Sequence, residues 1–184
     1  MGDRNFSRVP LGDVVRNVRG GIKPADMEKD ADYILLEHIQ PGTGIVHPVK
    51  VKEQSVGSNK SAFDEGDILF GKLRPNLRKV CVATARGYCS TDIIPLRAHQ
   101  QGASYYLAAV LRSERFTTEV LRMVSGANLP RIGVKDLLSF EIPWPDEGNL
   151  QRLERTCREA ITLRRKVDSL SRCISNFESS LWET

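Results

Sequence analysis

The clearest structural signal in this chain of 184 residues is its last segment, residues 149–182, which reads NLQRLERTCREAITLRRKVDSLSRCISNFESSLW. The segment contains neither Pro nor Gly, so no residue in it is expected to interrupt a helix. Its apolar residues recur at alternating intervals of four and three, which is the heptad spacing of a coiled coil. They are Leu163, Val167, Leu170, Ile174, Phe177 and Leu181. We therefore predict one continuous helix about 50 Å long, at a rise of about 1.5 Å per residue.

This helix carries more apolar surface than the small domain before it is expected to cover. Upstream, after a phase slip, the seam continues through Leu150, Leu153, Cys157 and Ala160. One interpretation is a terminal helix that folds back onto its own domain. The interpretation that we favour is a helix that projects from the domain and pairs with another helix.

Residues 1–146 mix short apolar stretches with Gly and Pro, which predicts an α+β domain preceding a helical segment of residues 147–184. Apolar spacing predicts helices over Val9–Val18, Tyr105–Leu111 and Phe116–Val124. Short apolar runs predict strands over Tyr33–Leu36, Asp67–Phe70, Lys79–Ala83 and Ile93–Leu96. Phe140–Pro145 is expected to be extended, because each Pro biases the preceding residue away from the helical region.

Composition excludes several classes of protein. Lys and Arg number 27 against 23 Asp and Glu, a net charge of +4, which permits an anionic partner without requiring one. The longest apolar run, Tyr105–Leu111, is far shorter than the roughly 20 residues that a membrane helix needs. The N-terminus has no apolar signal-peptide core. The four Cys lack zinc-ligand spacing, so we expect a cytoplasmic protein with reduced, mostly buried thiols.

Motifs for catalysis, cofactors and metals are absent from the sequence. There is no Walker A motif, no adenine-methyltransferase Asn-Pro-Pro-Tyr or Asp-Pro-Pro-Tyr, and no acidic residue two positions before a Lys, as restriction nucleases use. The three His are scattered, and Gly42-Thr-Gly44 is better interpreted as a turn than as a nucleotide loop. Glu37-His38 is a candidate pair of polar contact residues, although a solvated pair is the simpler interpretation. We therefore predict a non-catalytic protein without a cofactor.

Positive charge is concentrated between Ile68 and Ser113, where seven basic residues accompany one acid, Asp92. Within this stretch, two predicted strands flank a loop that runs from 72 to 79. Its candidate DNA-binding residues are Lys72, Arg74, Asn76, Arg78 and Lys79. Lys and Arg neutralise phosphates, while Arg and Asn can contact guanine and adenine edges in the major groove. The alternative is a solvated hairpin loop.

A second, weaker candidate is the segment SGANLPR, residues 125–131. Its Gly, Asn and Pro residues predict a shaped loop that presents Asn128 and Arg131.

The order of the segments resembles the specificity subunits of type I restriction-modification systems. The matching segments are VPLGDVVRNVRGG (9–21), YILLEHIQPGTGIV (33–46), EGDILFGKLRPNLRKV (65–80), GYCSTDIIPLRA (87–98) and SGANLPRIGVKDLLSFEIPWP (125–145). The Pro143-Trp-Pro145 element and Gln151 at the helix start also match. Each motif is loose, and their order over almost the whole chain makes the resemblance specific.

The resemblance implies a non-catalytic protein that selects a bipartite DNA sequence for partner enzymes. Residues 1–146 would form the DNA target recognition domain, and the helix would serve as spacer, dimerisation surface and docking site. The implied partners are double-stranded DNA and DNA adenine methyltransferase subunits, with restriction subunits as further candidates.

One departure from the family concerns domain number. Members usually carry two recognition domains and two spacer helices, whereas this chain has one of each. A half subunit would pair with a copy of itself, and two-fold symmetry would then make the target halves inverted repeats. Two alternatives stay open: a recognition domain detached from a fused methyltransferase-nuclease, and a protein-interaction adaptor that works through its helix.

Overall fold

A computed structural model describes residues 6–18, 20–123 and 130–182. The strands in these ranges are β1 (Phe6–Pro10), β2 (Val15–Asn17), β3 (Asp32–Ile34), β4 (Val49–Lys50), β5 (Ser61–Phe63), β6 (Ile68–Gly71), β7 (Val80–Val82), β8 (Gly87–Cys89), β9 (Ile93–Ala98) and β10 (Glu141–Pro145). The helices are α1 (Ser104–Leu111), α2 (Glu114–Met123), α3 (Val134–Ser139) and α4 (Glu147–Ser180). The predicted α+β class with a long C-terminal helix is confirmed.

The central sheet has the strand order β2-β9-β6-β7, and all its neighbouring pairs are antiparallel. Its middle strands are apolar runs that are buried on both faces, as their sequences predict. Ile68 of β6 pairs with Val82 of β7 on one side and with Leu96 of β9 on the other. Helices α1 and α2 cover this sheet, and Phe116 of α2 lies edge-on to Phe70 of β6.

A second sheet has the order β4-β3-β8-β5. Strands β3 and β8 are parallel, with Asp32 opposite Gly87 and Ile34 opposite Cys89. The segments that follow these two strands therefore reach the same edge of the sheet. That edge borders the candidate site.

The predicted helix over Val9–Val18 is wrong. Strand β1 pairs with β10 and strand β2 pairs with β9, and a short 3-10 turn at Leu11–Asp13 separates β1 from β2. The β-branched residues of this stretch favour strands, and cross-strand pairing outweighs the weak helical spacing. The extended conformation predicted for Phe140–Pro145 is confirmed as β10.

Helix α4 begins after Asp146, whose side chain accepts a hydrogen bond from the Asn149 backbone N–H at 2.9 Å. This bond, which stabilises the ionised carboxylate, lowers the pKa of Asp146. The first part of α4 packs on the domain, where Leu150 is 1% exposed and Ile161 is 5% exposed. Buried Glu154 accepts a hydrogen bond from the Tyr106 N–H at 2.8 Å, which joins α4 to α1.

The second part of α4 presents its heptad residues to solvent. All six residues of the predicted seam are 57–65% exposed: Leu163, Val167, Leu170, Ile174, Phe177 and Leu181. The phase slip in the sequence therefore separates two faces of one helix. Leu150 upstream of the slip is buried against the domain, whereas the later apolar residues are exposed. The first part of the helix therefore folds back onto its own domain, and pairing of the exposed part with another helix stays a prediction.

Polar contacts hold α4 to the domain beyond Ile161. Asp168 Oδ1 accepts a hydrogen bond from Gln40 Nε2 at 2.6 Å, and Asp168 Oδ2 lies 3.3 Å from His47 Nε2. The turn before His47 lies directly under the helix. Gly44 has a φ of +84°, and a Cβ there would lie 2.7 Å from the Ile161 Cδ1 atom. The left-handed backbone conformation favours glycine here, and a side chain would also have to displace the ends of the Ile161 and Arg112 side chains.

Candidate nucleic-acid interface

The predicted basic loop connects β6 and β7, and its backbone is unusual. A 3-10 turn at Pro75–Leu77 lies between Arg74 and Arg78, which have φ values of +52° and +51°. Residues other than Gly seldom adopt this left-handed conformation, which costs roughly 1–3 kcal/mol and persists only where surrounding contacts enforce it. The loop is therefore held in a defined shape.

Two of the candidate residues supply the contacts that hold the loop. Arg78 Nη1 lies 3.0 Å from Glu114 Oε1, and the carbonyl of Arg78 accepts a hydrogen bond from the Gly42 N–H. Lys79 Nζ donates a hydrogen bond to the carbonyl of Leu36 at 2.6 Å. Arg78 therefore anchors the loop to α2, and Lys79 anchors it to the segment after β3. Fewer of their hydrogen-bond donors remain available to a ligand.

Three other candidates on the loop are available to a ligand. Arg74 and Asn76 are exposed, and Lys72 is partly exposed. Among the residues that the structure describes, none of these three side chains has an ion-pair or hydrogen-bond partner. Arg74 lies at the start of the 3-10 turn, directly before the buried Pro75.

The described end of the second predicted segment, Pro130 and Arg131, lies against the first. Leu73 and Arg131 form an isolated antiparallel bridge. The Arg74 N–H donates to the Pro130 carbonyl at 2.9 Å, and the Ile132 N–H donates to the Lys72 carbonyl at 3.1 Å. Arg131 is therefore part of the same surface as the loop. Asn128, the other candidate in this segment, lies outside the described residues.

The remaining basic residues of the stretch from Ile68 to Ser113 do not join this surface. Arg86 pairs with Glu28, and Arg97 forms hydrogen bonds with buried Asp67, which raise the pKa of the Arg97 guanidinium. Arg112 donates to the carbonyl of Val80, and burial lowers the pKa of Arg112. Glu28, which pairs with Arg86, and Asp67, which pairs with Arg97, both lie outside the stretch from Ile68 to Ser113. The charge count along the stretch therefore overestimated its free positive charge.

The loop borders an open cleft of about 530 Å³. The cleft is lined by Leu35, Leu36, Glu37, Leu73, Arg74, Leu77, Lys79, Ser90 and Asp92. Of these, the sequence predicted Arg74 and Lys79 as DNA-binding residues and offered Glu37 only as part of a candidate pair of polar contact residues. Glu37 follows β3 and Asp92 follows β8, so the parallel pairing of these strands brings them together. Predicting that Glu37 and Asp92 lie together would have required predicting that β3 and β8 pair in parallel. The sequences of these two short strands do not indicate that pairing.

Groups for catalysis are not assembled in the part of the chain that the structure describes. No cluster of three or more His, Cys, Asp or Glu side chains there is arranged to hold a metal ion. Cys81 and Cys89 are buried, and burial raises the pKa of the Cys81 thiol to about 12. Such a thiol is protonated at neutral pH and is a poor nucleophile.

Comparison with known proteins identifies a protein of similar sequence. No protein-family model matches the chain. The chain is 28% identical over 154 residues to the type I restriction enzyme EcoDI specificity subunit of Escherichia coli. The chain is thus similar in sequence to a type I specificity subunit. The match covers 81% of this chain and 34% of the E. coli protein, so the chain spans about a third of that subunit's length.

Two solved structures share the fold of this chain. One is the HsdS subunit from Thermoanaerobacter tengcongensis, with a TM-score of 0.67, 21% identity, and coverage of 95% of this chain and 46% of that chain. The other is the type I restriction-modification S subunit from M. genitalium, with a TM-score of 0.64, 11% identity, and coverage of 97% and 44%. The predicted resemblance is thus confirmed in sequence and in fold.

A second exposed feature of the chain is the apolar stripe of α4, defined by the six heptad residues from Leu163 to Leu181. Trp182, at 88% exposure, extends it. None of the helices in the described ranges is both long and apolar enough to cross a membrane. A continuous apolar surface of this length is typical of a protein interface.

Proposed function

We propose that the chain is a DNA-binding specificity subunit that selects a sequence for partner enzymes. The observation that carries this proposal is the joining of two separated segments, at Leu73 and Arg131, into one surface with exposed basic groups. Its sequence relation to a type I specificity subunit supports the same conclusion. Residues 1–146 act as the recognition domain.

The side chains of the proposed interface divide by chemistry. Lys72 and Arg131 are suited to phosphate contacts, while Arg74 and Asn76 can form hydrogen bonds to base edges. Arg78 and Lys79 contribute positive charge and hold the loop in shape. Asn128 completes the proposed set.

The apolar stripe of α4 supports a role in assembly for residues 147–184. Its heptad spacing suits a helix from a second copy of this chain, with the two helices antiparallel. Such a dimer holds two recognition domains roughly 50 Å apart, from the helical rise. It would bind a bipartite target with inverted halves, and it would dock DNA adenine methyltransferase subunits and, in a restriction complex, restriction subunits.

The chain itself is proposed to catalyse nothing. The purified chain should transfer no labelled methyl group from S-adenosylmethionine to DNA and should leave DNA uncut in the presence of Mg²⁺. Activity that co-purifies with the chain through two orthogonal columns would contradict this part of the proposal. A catalytic domain encoded in the same reading frame would instead favour a fused methyltransferase-nuclease.

The exposed stripe also favours a second candidate function, a protein-interaction adaptor in which the basic loop is incidental. Selection from a random duplex library by the purified chain separates the two. A specificity subunit should enrich a defined sequence, and its affinity should fall steeply with salt. An adaptor should enrich no sequence.

A further inference from the structure

Glu37 is an exposed acid at the rim of a cleft that holds two basic residues and one further acid. It follows β3, and it lines the same cleft as Arg74 and Lys79. Glu37 is exposed and has no ion-pair partner among the residues that the structure describes. The other acid of the cleft, Asp92, pairs with Arg131 at 3.0 Å.

The backbone that carries Glu37 is fixed on both sides. His38 Nδ1 accepts a hydrogen bond from the Leu35 N–H at 3.1 Å. On the other side, the Leu36 carbonyl accepts the 2.6 Å hydrogen bond from Lys79. The residue that anchors the basic loop therefore also fixes the position of Glu37 relative to that loop.

A free carboxylate at this place opposes DNA binding unless it accepts a hydrogen bond from the DNA. Its charge repels phosphates, and an ionised carboxylate is only a hydrogen-bond acceptor. Of the groups in the major groove, cytosine N4 and adenine N6 donate hydrogen bonds, and Glu is suited to cytosine N4. Guanine O6 and thymine O4 are acceptors that a carboxylate repels.

We propose that Glu37 reads one base of the target by accepting a hydrogen bond from an exocyclic amino group, cytosine N4. This inference rests on the proposed function, since it assigns one residue of that interface a base-specific role. Glu37 contributes selectivity at a cost in electrostatic affinity, whereas Arg74 contributes affinity.

Selection from a random duplex library by four proteins tests this proposal: the wild-type chain, Glu37→Ala, Glu37→Gln and the control Glu159→Gln. The control removes one exposed acid from α4. The wild-type chain and the control should enrich cytosine at the same position. Glu37→Ala should lose roughly 5- to 100-fold of discrimination at that position alone and should bind random DNA more tightly. Glu37→Gln should shift the preference there towards adenine, because Gln pairs with adenine N6 and N7.

The outcomes distinguish this inference from the proposed function. If the wild-type chain enriches a sequence and Glu37→Ala keeps every base preference, Glu37 is a solvated side chain and the inference is overturned. If the wild-type chain enriches nothing, the proposed function fails, and the inference fails with it. Because Glu37 is exposed, both variants should keep the wild-type thermal unfolding curve. A changed curve would show that a loss of base preference comes from misfolding.

Discussion

Leu73 and Arg131 face each other in an antiparallel bridge, although they belong to segments that are far apart in the sequence. The bridge is flanked by backbone hydrogen bonds from Arg74 to Pro130 and from Ile132 to Lys72. These hydrogen bonds join the basic loop, residues 72–79, and the end of the second candidate segment in one surface. The shape of the basic loop therefore depends on its backbone hydrogen bonds with residues 130–132.

The first prediction concerns Arg74. Arg74→Ala should lower DNA affinity and reduce the slope of log affinity against log salt by about 0.9 if Arg74 contacts one phosphate. If Arg74 reads a base instead, the loss should be about 1–3 kcal/mol and confined to one position of the target. Fluorescence anisotropy over a salt series measures both quantities.

Arg86→Ala is the matched control for Arg74, because it removes the same charge from an exposed ion pair with Glu28 outside the cleft. It should change neither the affinity nor the salt slope by more than a small electrostatic effect. Equal losses in the two variants would indicate that binding depends only on net charge.

The second prediction concerns the apolar stripe of α4. Leu170→Asp with Ile174→Asp places two charges in the seam and should abolish assembly while the domain remains folded, since both side chains are exposed in the monomer. Light scattering should give the mass of a single chain. Ser169→Asp with Asn176→Asp adds the same charges on another face of the helix and should keep the wild-type mass. An unchanged assembly in the seam variant would contradict an interface at this stripe.

The third prediction concerns the attachment of α4 to the domain. Asp168→Ala removes the hydrogen bond from Gln40 and the contact with His47, which should lower the free energy of unfolding by about 1–3 kcal/mol. It should also speed amide hydrogen exchange in the helix beyond Ile161. Glu159→Ala removes an exposed acid from the same helix and should do neither. Identical exchange in the two variants would show that these polar contacts do not hold the helix.

The fourth prediction concerns the four thiols. At pH 8, iodoacetamide should modify Cys173 first, because it is exposed. Cys157 should react more slowly, since burial raises its pKa and leaves less thiolate at that pH. Cys81 and Cys89 should react only after denaturation, because burial raises their pKa values far above pH 8. Peptide mass spectrometry identifies the order, and rapid native modification of Cys81 would contradict the packing around β7.

The long helix and the central strands could be predicted from sequence because their signals are local. The seam from Leu163 to Leu181 repeats with a fixed period, and β6 and β9 are short apolar runs between turn residues. The helix predicted over Val9–Val18 failed because pairing with β9 and β10 is a long-range effect that local spacing does not contain.

The composition of the candidate site depended on the fold in the same way. The sequence identified the basic loop, but it gave no sign that Arg78 and Lys79 anchor it or that Glu37 and Asp92 line the same cleft. The Arg78 contact depends on the position of α2 beside the loop. The shared cleft depends on the parallel pairing of β3 with β8, whose strands are three residues each. Strands this short carry too few residues to indicate their partners.

The most direct test of the central claim, that this chain selects a DNA sequence for partner enzymes, is methylation mapping. Genomic DNA would be sequenced from cells that express a type I methyltransferase subunit with the wild-type chain, with Arg74→Ala, or with no chain. We predict adenine methylation in one bipartite motif with inverted halves in the presence of the wild-type chain, and a weakened or altered motif with Arg74→Ala. Methylation that is the same with and without the chain would contradict the claim.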